Sequence, residues 1–246
     1  MTDNAFPRSN DLLTMKPLIR LVPCVVVFAL AALAGRAQTA NPAAVAVPRQ
    51  PWIDQSNGFS AIAKKGGIDV VFLGDSITEG WRSAGREVWA KRYSPLKAAN
   101  FGIGGDRTQH VLWRLQNGNL DGITPKVVVL MIGTNNTSRD SAPQIAEGIT
   151  AIVNEIRTRT PSTKILLLGV FPRGDKDARV KIGQINEIIA KLDDGKTVFF
   201  LDIGPKFLQP DGALTREIMP DLLHLSPAGY QIWADAIQAK LDELLK

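Results

Sequence analysis

The sequence predicts an α/β domain in which a parallel sheet is covered by helices on both faces. Three observations carry this prediction. Five short apolar runs recur along the chain, each nearly continuous in apolar character and each ending at a glycine. Amphipathic stretches of helical length lie between them. The composition, 45% apolar and 22% charged over 246 residues, is that of an ordinary globular protein. It excludes a disordered chain, a collagen-like repeat and a disulfide-stapled miniprotein.

Taken in order, residues 1–40 read as an upstream extension and a signal peptide. From Met15 the chain runs MKPLIR, then LVPCVVVFALAALAG, then RAQTANPAAVAVP. That is a basic start, an apolar segment of about fifteen residues and a small-residue cleavage region, with the cut expected between Ala37 and Ala40. Met15 is a candidate true start. The apolar segment is shorter than the ~20 residues a membrane span needs, so export to the periplasm or the outside is expected, without a stable membrane anchor. The sole cysteine, Cys24, lies in this segment. Cleavage would leave no thiol, which removes cysteine nucleophiles, disulfides and cysteine-ligated metals together. Residues 41–51, rich in Ala and Pro, read as a linker, and residues 52–246 as the folded domain.

The five expected strands are 68–73 (IDVVFL), 97–101 (KAANF), 126–132 (KVVVLMI), 164–168 (KILLL) and 197–203 (TVFFLDI). Continuous apolar runs of this length suit strands buried on both faces. Helices are expected at 108–116, 142–159, 178–192 and 226–245. In the second of these Ile145, Ile149, Ile152, Val153 and Ile156 fall at helical spacing. The last opens on Ser226-Pro227, an N-cap followed by proline at the first helical position. Strands alternating with helices give a parallel sheet, and ligands bind such sheets at the carboxyl ends of the strands.

Four blocks occupy positions suited to chemistry. Gly74-Asp75-Ser76-Ile77-Thr78 follows the first strand, and Gly102-Ile103-Gly104-Gly105-Asp106-Arg107 follows the second. Gly133-Thr134-Asn135-Asn136 follows the third, and Asp221-Leu222-Leu223-His224 precedes the last helix. The second block fails the dinucleotide fingerprint because Arg107 stands where its third glycine should be, and neither a phosphate loop nor a GxSxG elbow is present. A serine needs a base to become a nucleophile, and His224, with Asp221 three residues before it, supplies a base and an acid to orient it. His110 reads as a local helix residue, and Asp75 as a turn residue. Asp106 and Arg107 either touch substrate or form a structural ion pair. Asp202, at the end of the fifth strand, is a rival acid for His224.

Together these blocks resemble the SGNH (GDSL-type) hydrolases, serine esterases and acyl hydrolases. The stretches NFGIGGDRTQHVLWRLQNG and VVVLMIGTNN look especially like the catalytic subunits of intracellular platelet-activating factor acetylhydrolase. The resemblance runs from about Trp52 to the C-terminus. It implies a flavodoxin-like three-layer α/β/α fold with Ser76 as nucleophile and Asp221 and His224 completing a triad. It also implies an oxyanion hole formed by the N–H groups of Ser76 and Gly105 and the amide of Asn135. The usual GDSL is spelled GDSI here, which preserves apolar bulk.

The chain carries 29 basic and 24 acidic residues, or +5; without its first 37 residues the balance is 25 to 22, or +3. The remaining basic residues are scattered, so a nucleic-acid partner has no support. Two histidines more than a hundred residues apart give no metal-ligand cluster, and no cofactor is expected. The expected activity is hydrolysis of short-acyl, chiefly acetyl, esters of small molecules or carbohydrates through an acyl-enzyme. The alternatives are a lysophospholipase- or thioesterase-type acyl hydrolase and a catalytically silent carbohydrate-binding protein. The intracellular relatives form dimers, which leaves a homodimer open here.

Overall fold

In the computed structural model residue 1 and residues 40–246 are described; apart from its two end residues, the extension and signal peptide read from 1–40 lies outside them. The elements run α1 (Ile53–Lys65), β1 (Val70–Gly74), α2 (Ser76–Glu79), α3 (Arg86–Arg92), β2 (Ala98–Gly102) and α4 (Thr108–Gln116). They continue with β3 (Val127–Met131), α5 (Ala142–Arg159), β4 (Lys164–Leu168), α6 (Lys176–Ile189), β5 (Val198–Leu201) and α7 (Pro227–Leu244). No helix among the described residues is long and apolar enough to cross a membrane.

All five strands are parallel, in the order β2-β1-β3-β4-β5. Side chains alternate across the sheet as a period of two requires. Val71, Leu73, Val128, Leu130, Ile165 and Leu167 enter one core with residues of α1, α4, α5 and α6. Val70, Phe72, Val127, Val129, Leu166 and Leu168 enter the other with α7 and the aromatic residues Trp81 and Tyr93. The expected three-layer α/β/α fold with a five-stranded parallel sheet is therefore observed. β1 has β2 on one side and β3 on the other, so the connections that follow β1 and β3 run in opposite directions and open a crevice at their carboxyl ends. Gly74 lies in register with Gly102 and Met131, which starts three of the four blocks from one level.

Three features depart from the sequence reading. Residues 41–51 do not hang free as a linker. Ala43 is fully buried, Asn41 Nδ2 donates to the Gln144 carbonyl (2.9 Å), and Thr108 Oγ1 donates to the Ala43 carbonyl (2.7 Å). The small residues that suggested flexibility are what lets this strap lie close over α4 and α5; a Cβ on Gly148 of α5 would stand 2.4 Å from the Ala43 oxygen. Helix α1 escaped the hydrophobic pattern because half of its buried face is serine: Ser56 and Ser60 join Phe59 and Ala63. Helix α6 starts at Lys176, two residues early, because Asp175 Oδ1 accepts the Ala178 N–H (2.7 Å) and caps it there.

Candidate active site

The first block turns sharply out of β1. A Cβ on Gly74 would lie 2.2 Å from Thr78 Oγ1 and 2.3 Å from the Met131 carbonyl, so only glycine allows α2 to double back on the sheet. Asp75 is fully buried, and its Oδ1 caps α2 by accepting the Ile77 N–H (3.0 Å). This leaves Ser76 at the first helical position, with a backbone N–H that has no intrahelical acceptor. Tyr230 of α7 donates its hydroxyl to the Ile77 carbonyl (2.6 Å) and ties the turn to the last helix.

The fourth block meets it there. Asp221 Oδ1 accepts the N–H groups of Leu223 (3.0 Å) and His224 (2.7 Å), folding the loop back on its own carboxylate. Leu222 between them adopts a left-handed backbone (φ 61°) and is held by donation of its N–H to Met219 and acceptance from Gly174, 2.8 Å each. His224 Nδ1 then stands 2.6 Å from Asp221 Oδ2, and Nε2 stands 2.8 Å from Ser76 Oγ. Partial burial raises the Asp221 carboxyl, but the bonds from the His224 ring and from two backbone N–H groups outweigh it and bring it down to about 2. The ionised carboxylate only accepts, so Nδ1 carries the proton and Nε2 is the acceptor for the serine hydroxyl. Burial pushes the neighbouring Asp75 carboxyl the other way, up to about 7.

The second block curls over Ser76. The Gly104 N–H is taken by Glu79 Oε2 (2.8 Å), and a Cβ on Gly104 would come within 3.8 Å of the Ser76 Cβ. Gly105, at φ +74°, has no acceptor for its N–H among the described residues, and a Cβ there would meet the Arg49 guanidinium at 2.6 Å. Asn135 Nδ2 donates one hydrogen to the Asp106 carbonyl (2.8 Å), which joins the second and third blocks and leaves the other hydrogen without a partner among the described residues. Gly105 and Asn135 line one cavity of about 520 Å³ together with Arg107, Thr134 and Arg173. The structure thus brings Ser76, Asp221 and His224 into one hydrogen-bonded run, and Gly105 and Asn135 into the lining of one cavity.

The open alternatives resolve by contact. Asp106 is an ion-pair residue; Arg114 (2.9 Å) and Arg49 (3.2 Å) both reach its buried carboxylate, while Arg107 does not. Burial raises that carboxyl, and the two guanidiniums oppose the rise. Asp202 accepts the N–H of Gly204 (2.8 Å) and lies 3.3 Å from Asn186 Nδ2, so it is engaged away from His224. His110 Nδ1 accepts the Arg107 N–H (3.1 Å), and its ring is brought down to about 4 by burial and by the surrounding arginines. Sequence reasoning missed Arg49, Glu79 and Arg173, which reach the blocks only through tertiary contact.

Comparison with known proteins agrees with this layout. The model of the GDSL-like lipase/acylhydrolase family matches residues 72–232. The alpha1 subunit of platelet-activating factor acetylhydrolase IB from Homo sapiens is 41% identical over 214 residues, covering 83% of this chain and 91% of that protein. The alpha2 subunit from Rattus norvegicus is 44% identical over 182 residues, covering 73% and 78%. A solved GDSL-like lipase from Bacteroides thetaiotaomicron superposes with a TM-score of 0.63 at 21% identity, covering 79% of this chain and 97% of that one. The family match begins in the strand that delivers Ser76 and extends past the loop that delivers His224, and the chain belongs to the GDSL-like lipase/acylhydrolase family.

Proposed function

We propose that the protein is an exported serine esterase that removes short acyl groups, chiefly acetyl, from carbohydrate esters through an acyl-enzyme. One observation carries this: the unbroken run from Ser76 Oγ through His224 to Asp221, at 2.8 and 2.6 Å. His224 Nε2 takes the hydroxyl proton as Ser76 Oγ attacks the ester carbonyl. The negative charge that builds on the carbonyl oxygen faces the N–H groups of Ser76 and Gly105 and the free amide hydrogen of Asn135; a donor of this kind is worth ~3 kcal/mol. Collapse of the tetrahedral adduct expels the alcohol, which receives the proton from His224. Water, activated by the same imidazole, then releases the acid and restores Ser76. Asp221 stays ionised throughout and stabilises the imidazolium.

The acetyl preference is supported by the acetylhydrolase relatives. The carbohydrate preference is supported by the polar lining of the cavity that Gly105 borders, where Asn135 and Ser138 offer hydrogen-bonding groups for sugar hydroxyls. Export is supported by the basic, apolar and small-residue order of residues 15–40. Hydrolysis of a chromogenic acetyl ester tests the chemistry. Ser76→Ala and His224→Ala should each cut turnover by about 10⁴-fold or more while the fold persists. A His224→Ala protein that keeps more than about a tenth of the activity would show that the base lies elsewhere.

A further inference from the structure

The turn that carries Asn135 is gripped from two sides by arginines that have no acidic partner among the described residues. Arg107 donates Nε to the Asn135 carbonyl (3.1 Å), and Arg173 Nη1 lies 3.4 Å from both the carbonyl and the hydroxyl of Thr134. Both line the cavity that Gly105 and Asn135 border. Among the described residues no carboxylate comes within ion-pair distance of either guanidinium, although neighbouring Arg49 and Arg114 share Asp106. Lys181, on the same wall, is spent on the carbonyls of Thr137 (2.6 Å) and Asp140 (2.9 Å). The acidic residues of the cavity, Asp175 and Asp177, are exposed at the start of α6, and Asp175 is committed to capping it. Two half-buried cations are therefore held on carbonyl oxygens, with the remaining N–H groups of their forks unused among the described residues. A guanidinium in that state is well matched to a planar or tetrahedral oxyanion, which it binds through paired charge-assisted hydrogen bonds.

We infer that Arg107 and Arg173 form an anion subsite beside the oxyanion donors, so that the preferred substrates are acyl esters whose alcohol part carries a carboxylate or phosphate. Within the proposed carbohydrate esterase this means an acetylated acidic sugar, and the inference rests on that reading only for the sugar. The arginine pair also places positive potential where the ester oxygen becomes negative, so one cluster both selects the substrate and favours the transition state. Burial and the nearby Arg139 and Arg49 bring Arg107 below its ordinary value, against the opposing pull of Asp140.

The test separates binding from turnover. The Ser76→Ala protein is titrated calorimetrically at low salt with a methyl O-acetyl-glucuronoside, with its neutral glucoside counterpart, and with the corresponding O-acetyl-glucose phosphate. At least one anionic ligand should bind about tenfold or more tightly than the neutral one. Adding Arg173→Gln or Arg107→Gln should bring that ratio towards one, with circular dichroism showing the fold retained. The stronger of the two anionic ligands tells carboxylate from phosphate. Equal affinity for charged and neutral ligands, or a ratio that survives both arginine replacements, would overturn the subsite. Cleavage of the neutral chromogenic ester by the unaltered protein reports on the esterase separately, so either idea fails without the other.

Discussion

Asp75 and Asp221, the carboxylates that precede the serine and the histidine in their blocks, are held in opposite electrostatic states. Asp221 faces solvent and accepts three hydrogen bonds, so it stays ionised down to about pH 2. Asp75 is sealed in, with Oδ2 unpartnered among the described residues, and keeps its proton up to about pH 7. The unfolded chain releases that second proton near 3.8, so between about pH 4 and 7 the folded state binds more protons and stability falls as pH rises. Asp75→Asn retains the oxygen that caps α2 and removes the titration. Denaturant unfolding should therefore show the variant gaining on the wild type across this range, by a margin on the order of 3 kcal/mol. A difference that stays constant with pH would mean Asp75 is ionised throughout. Ser76, Asp221 and His224 were legible because a strand end and a three-residue spacing fix them locally. Arg173 was not, because no local pattern relates it to Thr134, its neighbour only after folding.

At the scale of elements, the strap over α4 and α5 does more than its composition implied. Its Arg49 stacks on Trp52 (3.6 Å to the ring centroid), donates to the Gly104 carbonyl and pairs with Asp106, thereby bracing the glycine loop beside Ser76. Arg49→Ala leaves Asp106 with Arg114 alone and should cost about 1–2 kcal/mol in a denaturant titration. The variant should also lower the turnover number, because the Gly105 N–H sits on the loop that loosens. Unchanged stability would show that Arg114 suffices. Strands and long helices were readable because their apolar periodicity records burial directly. Helices α1 and α3 were not: serines share the buried face of α1, and α3 is seven residues long, with none of them fully buried. The strap was misread because alanine and proline signal a linker equally well as a segment pressed flat against its neighbours.

Across the whole molecule, the strand order brings chemistry from distant parts of the chain to one edge. The connections that follow β1 and β3 run in opposite directions at the switch point, and the blocks that follow β1, β2 and β3 open from a common register. The sheet can hold that register because its cores are filled by large side chains. Phe72 alone contacts Trp81, Trp89, Tyr93 and Trp233, with ring centroids 4.6–6.3 Å apart. The reading of residues 1–40 makes its own prediction: N-terminal sequencing of the protein recovered from an exporting cell should find a start within Gln38–Asn41. A start at Met15 would argue against cleavage. Such a cut would spare Asn41, which anchors the strap on α5 through Gln144 and Glu147.

The serine and its base lie 148 positions apart, and the base belongs to the loop just before the last helix. On the ribosome, the growing polypeptide holds the hydroxyl long before the imidazole has emerged. Ester cleavage then has to wait for completion of the chain, since α7 must seat Tyr230 against the Ile77 carbonyl before the turn bearing Ser76 is secured. The machinery is thus disarmed during manufacture by the order of its own parts.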